Sequence, residues 1–359
     1  MNSRLSAAKR NKQDEYYTQI SDIEDEVKRY ADHFKDKVIF CNCDDPEWSN
    51  FWMHFKLKFD EYGLEKLVTT HYDEDKPTYK LVVDGTKRDK EGRPVEVKTA
   101  LKGNGDFRSS EAIEILKEAD IVVTNPPFSL FREYVSQLML YEKKFLIIGN
   151  KNAVTYNEVF DYISRNEMWV GVRPMNRDMW LEVPEGYNYE KIVDGLKLKH
   201  IMACWYTNLP HTKRYEDLIL YKKYYGNEDE YPRFDNYDAI NIDKVKDIPY
   251  DYKGIMGVPI TFLDKYNPEQ FDILGMTKTP ICHRNTPEAQ PIKKYLNGKQ
   301  HSKDGSIRTG NKVNDGSAIL HKEIPDKRPY YTADNAEGYL VAQYPRILIK
   351  SLRGVDDDN

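Results

Sequence analysis

Four consecutive residues, Asn125-Pro126-Pro127-Phe128, have the types and order needed to hold an amine. They follow Ile121-Val122-Val123-Thr124, whose β-branched, apolar character reads as a buried strand. The two prolines end the ladder and forbid an immediate helix, since neither carries an N–H and both have a fixed φ. Asn125 precedes a proline and is pushed to an extended conformation. Its amide and the neighbouring carbonyls then project past the carboxyl end of the strand, where open α/β sheets bind ligands. Phe128 adds a flat ring at the same place. Together they suit a planar group with an exocyclic amine: acceptors for the NH2 and a face to stack on. The bland alternative is a strand-ending turn that caps a core.

Other candidates are spaced along the chain. Asp44-Asp45-Pro46-Glu47-Trp48-Ser49-Asn50-Phe51 follows an apolar run, Lys37–Cys43, and Ser49 and Phe51 stand where a Gly-rich turn would let a backbone approach a ligand. By themselves Trp48, Phe51 and Phe55 read as core. Gly103-Asn104-Gly105-Asp106-Phe107 is a flexible loop in which Asp106 can accept from an amine and Phe107 can pack on a ring, or else it is an ordinary turn. Asp14-Glu15-Tyr16-Tyr17-Thr18-Gln19 precedes an acidic amphipathic helix, and Ser21 with Glu24 fits a capping box. Trp205-Tyr206-Thr207-Asn208-Leu209, followed by His211 and a basic pair, could support a base or touch phosphate. Cys41, Cys43, Cys204 and Cys282 lack the spacing of a zinc site. Cys41 and Cys43 are expected on one face of a strand as buried, reduced thiols.

The elements that must position these residues alternate. Strands are expected at Lys37–Cys43, Lys66–Tyr72, Tyr79–Val83, Ile121–Thr124 and Lys144–Gly149. Helices are expected at Ser49–Phe59, from Ser110, and at Leu130–Tyr141, with a charged loop at Lys87–Arg93. That alternation predicts an α/β domain with a largely parallel sheet over residues 1–225. From 226 to 359, Tyr, Pro, Asn and Asp dominate and periodicity weakens, which predicts a smaller, irregular second unit closed by a strand near Tyr344–Lys350.

Net charge is −5 and hydrophobic content 40%. No apolar run reaches the roughly 18 residues that span a bilayer, and the N-terminus has no apolar signal region, so a cytoplasmic protein is expected. The charge is uneven. Lys278, Arg284, Lys293, Lys294, Lys299, Lys303, Arg308 and Lys312 face only Glu288 and Asp304 between Met276 and Lys312. This basic, Gly- and Asn-rich loop is either a solvated face or a phosphate-contacting surface.

Asn125–Phe128 resembles the [DNS]-P-P-[YFW] motif of amino methyltransferases. With Asp14–Thr18, Phe40–Pro46, Ser49–Phe51, Gly103–Phe107, Trp205–Leu209, Tyr231–Asn241 and Met256–Tyr266, the chain resembles the EcoRI-type adenine-specific DNA methyltransferases over most of its length. The missing glycines are themselves typical of that family. The resemblance implies a Rossmann-like S-adenosylmethionine-dependent fold with a smaller C-terminal target-recognition region. It implies transfer of a methyl to N6 of adenine flipped from double-stranded DNA. Asn125 and Pro126 would receive the amine, beside Pro127, and Phe128 would stack on the base. Tyr16, Tyr17, Thr18, Asn42, Asp44, Asp45, Trp48, Asp106 and Phe107 would line the cofactor pocket, with His71 or Asp73 near the ribose. Arg284, Lys293, Lys294, Lys299, Lys303 and Arg308 would contact DNA. No metal is implied. A monomer is expected, beside a cognate restriction endonuclease that shares the site without a stable complex. RNA adenine, protein glutamine, and a non-catalytic nucleic-acid-binding role on a decayed fold are the alternatives.

Overall fold

The computed structural model describes residues 16–43, 46–177, 179–184, 186–278, 286–326 and 329–353. Over these the protein is mixed α/β. One unit holds the described residues up to Val159 together with Met168–His211; a second holds Phe160–Glu167 and the described residues from Thr212 onward. The division falls after His211 rather than near residue 225. The reason is local: Tyr224 N donates to Asp251 Oδ1 at 2.6 Å, and Lys222 bridges Pro249, so this stretch is stitched into the second unit.

The strands of the first unit are β1 (Val38–Cys41), β2 (Lys66–Thr70), β3 (Tyr79–Arg88), β4 (Pro94–Ala100), β5 (Ile121–Thr124), β6 (Lys144–Asn150), β7 (Trp169–Val170), β8 (Met179–Glu182), β9 (Lys191–Val193), β10 (Leu196–Ile201) and β11 (Ala203–Thr207). Eight of them form one sheet in the order β4-β3-β2-β1-β5-β6-β11-β7. β8, β10 and β9 form a separate antiparallel sheet with β10 at its centre. The large sheet is parallel only at its centre, β2-β1-β5-β6. β3, β4, β11 and β7 run antiparallel to their neighbours. Parallel neighbours need long crossovers. Helix α2 (Asn50–Leu57) lies in the β1–β2 connection and α4 (Phe131–Leu140) in the β5–β6 connection. The charged stretch Lys87–Arg93 is the end of β3 and a tight turn into β4, which lies exposed on the sheet edge.

Serines start two helices. Ser49 Oγ accepts from Trp52 N at 3.3 Å for α2, and Ser109 Oγ from Ala112 N at 3.2 Å for α3 (Ser110–Glu118). Each such cap is worth about 1 kcal/mol. The expected Ser21 box does not form. Helix α1 (Ile20–Val27) starts after Gln19, whose side chain donates to the Trp180 carbonyl instead of capping. Phe51 and Phe55 are core, as the sequence suggests, and Phe34 packs edge-on against Phe55 at 5.2 Å. Truncating a buried ring of this kind to alanine costs about 3–5 kcal/mol. Trp48 is not core: it precedes the cap residue, misses the helix's inward stripe and is 66% exposed. Trp205 and Tyr206 are fully buried in β11, and Asn208 pins β6 through Phe145 N and the Lys143 carbonyl. That motif packs the sheet rather than facing a base. Cys43 lies past β1 with φ +67°, so it does not share a strand face with Cys41. Among the described residues no helix is long and apolar enough to cross a membrane, and no His/Cys/Asp/Glu group could hold a metal.

In the second unit the strands are β12 (Ile240–Asn241), β13 (Met256–Pro259), β14 (Phe271–Met276), β15 (Lys299–His301), β16 (Ile307–Thr309), β17 (Ala318–His321), β18 (Tyr330–Thr332), β19 (Tyr339–Ala342) and β20 (Arg346–Ser351). They make two sheets, β12-β13-β20-β14 and β16-β15-β18-β19-β17. The basic stretch expected as a loop therefore contains the β15–β16 ribbon.

Candidate active site

Asn125 is placed by the strand before it. Asp120 Oδ2 accepts from Val38 N at 2.9 Å, and Asp120 N donates to the Val38 carbonyl at 3.0 Å, which fixes the start of β5 against β1. At the other end Thr124 donates to the Asn42 carbonyl, and Tyr134 of α4 donates to Asn42 Oδ1. Asn42 is 3% exposed. Two strand ends and a helix are thus tied together where Asn125 leaves the sheet.

The Asn125 side chain is buried, and its Nδ2 donates to the Tyr16 carbonyl at 2.7 Å. This turns the NH2 end toward Tyr16 and the Oδ1 acceptor the opposite way. Pro126 is buried and Pro127 half-buried; the Pro127 carbonyl accepts from Leu130 N at 3.0 Å, opening the turn that leads into α4. The Phe128 ring is half-buried, 6.0 Å from the Tyr16 ring and tilted 42°. Tyr17 exchanges two 2.9 Å backbone bonds with Glu182 of β8, and Asn50 Nδ2 donates to the Thr18 carbonyl at 2.7 Å. Tyr16–Thr18 is therefore held from three sides.

The loop at 103–107 lies on the end of β2. Gly105 has φ +77°, and a Cβ there would stand 2.1 Å from the His71 carbonyl oxygen, so only glycine allows this approach. Asp73 N donates to the Asn104 carbonyl at 3.1 Å. Phe107 is buried, edge-on to Tyr134 at 5.0 Å, and its carbonyl accepts from Gln137. Asp106 pairs with Arg108 at 2.7 Å. Burial raises the Asp106 carboxyl, but the hydrogen bonds and charge of Arg108 prevail and hold it below the usual carboxylate range. Asp106 is thus an anion near neutral pH. The His71 ring stacks on Tyr79 at 4.8 Å, and the Lys98 ammonium sits 3.5 Å from the Tyr79 centroid. The Asp73 carboxylate closes a turn by accepting from Asp75 N and Lys76 N.

The structure therefore links Tyr16, Tyr17, Thr18, Asn42, Asn125, Phe128, Asp106, Phe107 and His71 through one set of contacts. Trp48 is not joined to that set, and Asp44 and Asp45 lie outside the described residues. Sequence reading missed Thr124, Tyr134, Asn50, Glu182 and Arg108. Arg108, two residues after Asp106, was visible as a partner; Tyr134 and Glu182 arrive from elements whose contact chain order does not show.

In the second unit Lys293 pairs with Asp235 at 3.0 Å, and Asp235 also accepts from the Tyr295 hydroxyl at 2.9 Å. Lys293 is thus engaged inside the unit rather than presented to a ligand. Lys294, Lys299, Lys303 and Arg308 are exposed, and Arg284 lies outside the described residues.

Residues 4–351 match the model of a family described as adenine-specific methyltransferase EcoRI. Type II methyltransferase M.EcoRI of Escherichia coli is 48% identical over 297 residues, covering 77% of this chain and 90% of the relative. Type II methyltransferase M.MpnI of Mycoplasma pneumoniae is 39% identical over 313 residues, covering 85% of this chain and 95% of the relative. M.MgeORF184P of Mycoplasma genitalium is 38% identical over 313 residues, with 85% and 96% covered. With the amide-presenting strand end and this breadth of match together, the chain belongs to the EcoRI family of adenine-specific methyltransferases.

Proposed function

We propose that this protein methylates N6 of adenine at a specific double-stranded DNA sequence, as the modification component of a restriction-modification system. The observation that carries the reading is the Asn125 amide at the end of β5, oriented by the bond its Nδ2 donates to the Tyr16 carbonyl. Asn125 Oδ1 and the Pro126 carbonyl accept from the two N–H bonds of the target. This draws the nitrogen toward tetrahedral geometry and frees its lone pair for in-line attack, so the gain is mostly orientation. Phe128 stacks on the base. Flipping the adenine costs a few kcal/mol, offset by these contacts.

The residues around the strand ends fit S-adenosylmethionine as methyl donor. The Thr18 and Thr70 hydroxyls are buried and have no partner among the described residues, as expected of groups that await a ligand. Asp106 supplies an acceptor and Phe107 a ring edge for a nucleoside. Bound there, the cofactor supplies a methyl on a cationic sulfur. Tyr16–Thr18 covers it, and the α2 N-terminus replaces the usual glycine turn.

On this reading the first unit is the Rossmann-like catalytic domain, supported by its parallel centre, and the second is the target-recognition region. The enzyme acts as a monomer in the cytoplasm, where a cognate endonuclease shares its site without forming a stable complex. The deciding experiment is transfer of labelled methyl from S-adenosylmethionine to duplex DNA, RNA and protein in parallel. Label in duplex DNA alone is expected; none in any duplex DNA refutes the proposal.

A further inference from the structure

We infer that the β15–β16 ribbon is the element that enters the DNA major groove, with Arg308 reading a base edge and Lys299 and Lys303 gripping phosphate. This rests on the DNA-methylating function proposed above.

The first observation is burial. All three residues of β16 are exposed, Ile307 at 60%. A strand that buries nothing on either face gains little from packing, so its persistence at the sheet edge calls for another use. The second is charge. Among the described residues Lys299, Lys303 and Arg308 make no ion pair, whereas Lys293 nearby is paired with Asp235. Unpaired cations at a free sheet edge complement a phosphate backbone. The third is rigidity. Asp304, the one acid of the tip, is exposed and closes the turn by accepting from Ser306 N at 2.9 Å and Ser306 Oγ at 2.7 Å. Gly305 sits at φ +80°, Ser302 N and Gly305 N close the turn, and Gly310 N donates to the Gly298 carbonyl at the root.

β15 also pairs along its whole length with β18, so β16 and the tip that joins it to β15 form the free edge of the sheet, and a hairpin edge of this kind suits the roughly 12 Å width of the major groove. Register places Arg308 opposite Gln300 and Ile307 opposite His301, so the two faces differ. His301 is held by Tyr330, on which it stacks at 4.6 Å, and by Thr332. That leaves the edge strand to do the reading. Arg308 has the fork that matches guanine O6 and N7, while Ile307, one residue before it, faces the other way with His301. Lys299 and Lys303, at the root and tip, are point charges suited to phosphate.

The test is to map methylated adenines in DNA from cells expressing the wild type, Arg308→Ala or Lys303→Ala, with cofactor binding and thermal unfolding as checks on folding. The wild type should mark one motif. Arg308→Ala should relax one position of that motif by roughly 5- to 150-fold and leave the others intact. Lys303→Ala should keep the motif but reduce the slope of log affinity against log salt by about 1. If Arg308→Ala methylates nothing, its binding to duplexes mismatched one pair at a time decides: loss of discrimination at one position supports the inference. Equal weakening on all duplexes, or an unchanged motif, overturns it. Absence of any motif with the wild type refutes instead the DNA-methylating reading.

Discussion

The carboxyl edge of the parallel strands and the β15–β16 ribbon treat their polar groups in opposite ways. At the strand edge, Asn42, Thr124 and Asn125 are buried and hydrogen-bonded to neighbours that fix their orientation. On the ribbon, Lys299, Lys303 and Arg308 stand in solvent without ion pairs among the described residues. Chemistry that depends on tenths of an ångström needs the first arrangement, because a misdirected amide loses the in-line geometry. Recognition of a polyanion is served by the second, since a cation already paired must break that pair before it can bind.

The strongest test of this contrast is Asn125→Ala. Transfer should fall by about 100- to 1000-fold, the usual loss when one preorganised hydrogen-bonding group is removed, while cofactor and DNA affinity stay near wild type. Single-turnover rates beside binding isotherms check it, and an unchanged rate removes Asn125 from the chemistry.

Acid should distinguish the regions next. Burial pushes the His54 ring down to about 4, in a pocket formed with Phe55 and Tyr62. The unfolded chain titrates this ring near 6.5, so between the two values the unfolded state binds more protons. Stability present above pH 6.5 is then lost as pH falls toward 4, by roughly 3 kcal/mol. Melting curves at pH 7 and pH 5 should show the drop, and His54→Phe should flatten it.

A smaller effect is expected from Tyr134→Phe. It removes the donor to a buried Asn42 oxygen and should cost about 1–3 kcal/mol of stability, with a matching shift in denaturant midpoint. If the midpoint holds but transfer falls, the bond orients the site rather than supporting the fold. The finest test compares adjacent lysines. Lys293→Ala, which frees Asp235, should lower stability by about 1 kcal/mol with little effect on the salt dependence of DNA binding. Lys294→Ala should do the reverse. The same outcome for both would erase the distinction drawn between paired and unpaired cations.

The strand edge was far more legible in the sequence than its surroundings. Ile121–Thr124 is short, apolar and closed by two prolines, so local rules and the fold agree. β4, Pro94–Ala100, went unread although Val95 and Val97 alternate with Glu96 and Lys98, because the run is short, opens on a proline behind a charged turn and is exposed on both faces. The sheet of β8, β9 and β10 was hidden because its strands are short and β9 and β10 carry lysines at half-buried positions. Trp48 misled because aromatic spacing marks a helix face but not where the helix begins. The partners of Asn42 were not legible at all, since Thr124 and Tyr134 lie 82 and 92 residues away along the chain.

The bond between the Tyr16 carbonyl and the Asn125 amide makes an N-terminal backbone group part of the steering of the reactive centre. A protease cut between Tyr17 and Gln19 would then act as an off-switch. The sheet would keep its core and DNA would still be bound, yet the amide would lose the bond that aims it and the enzyme would become a silent occupant of its own target sites.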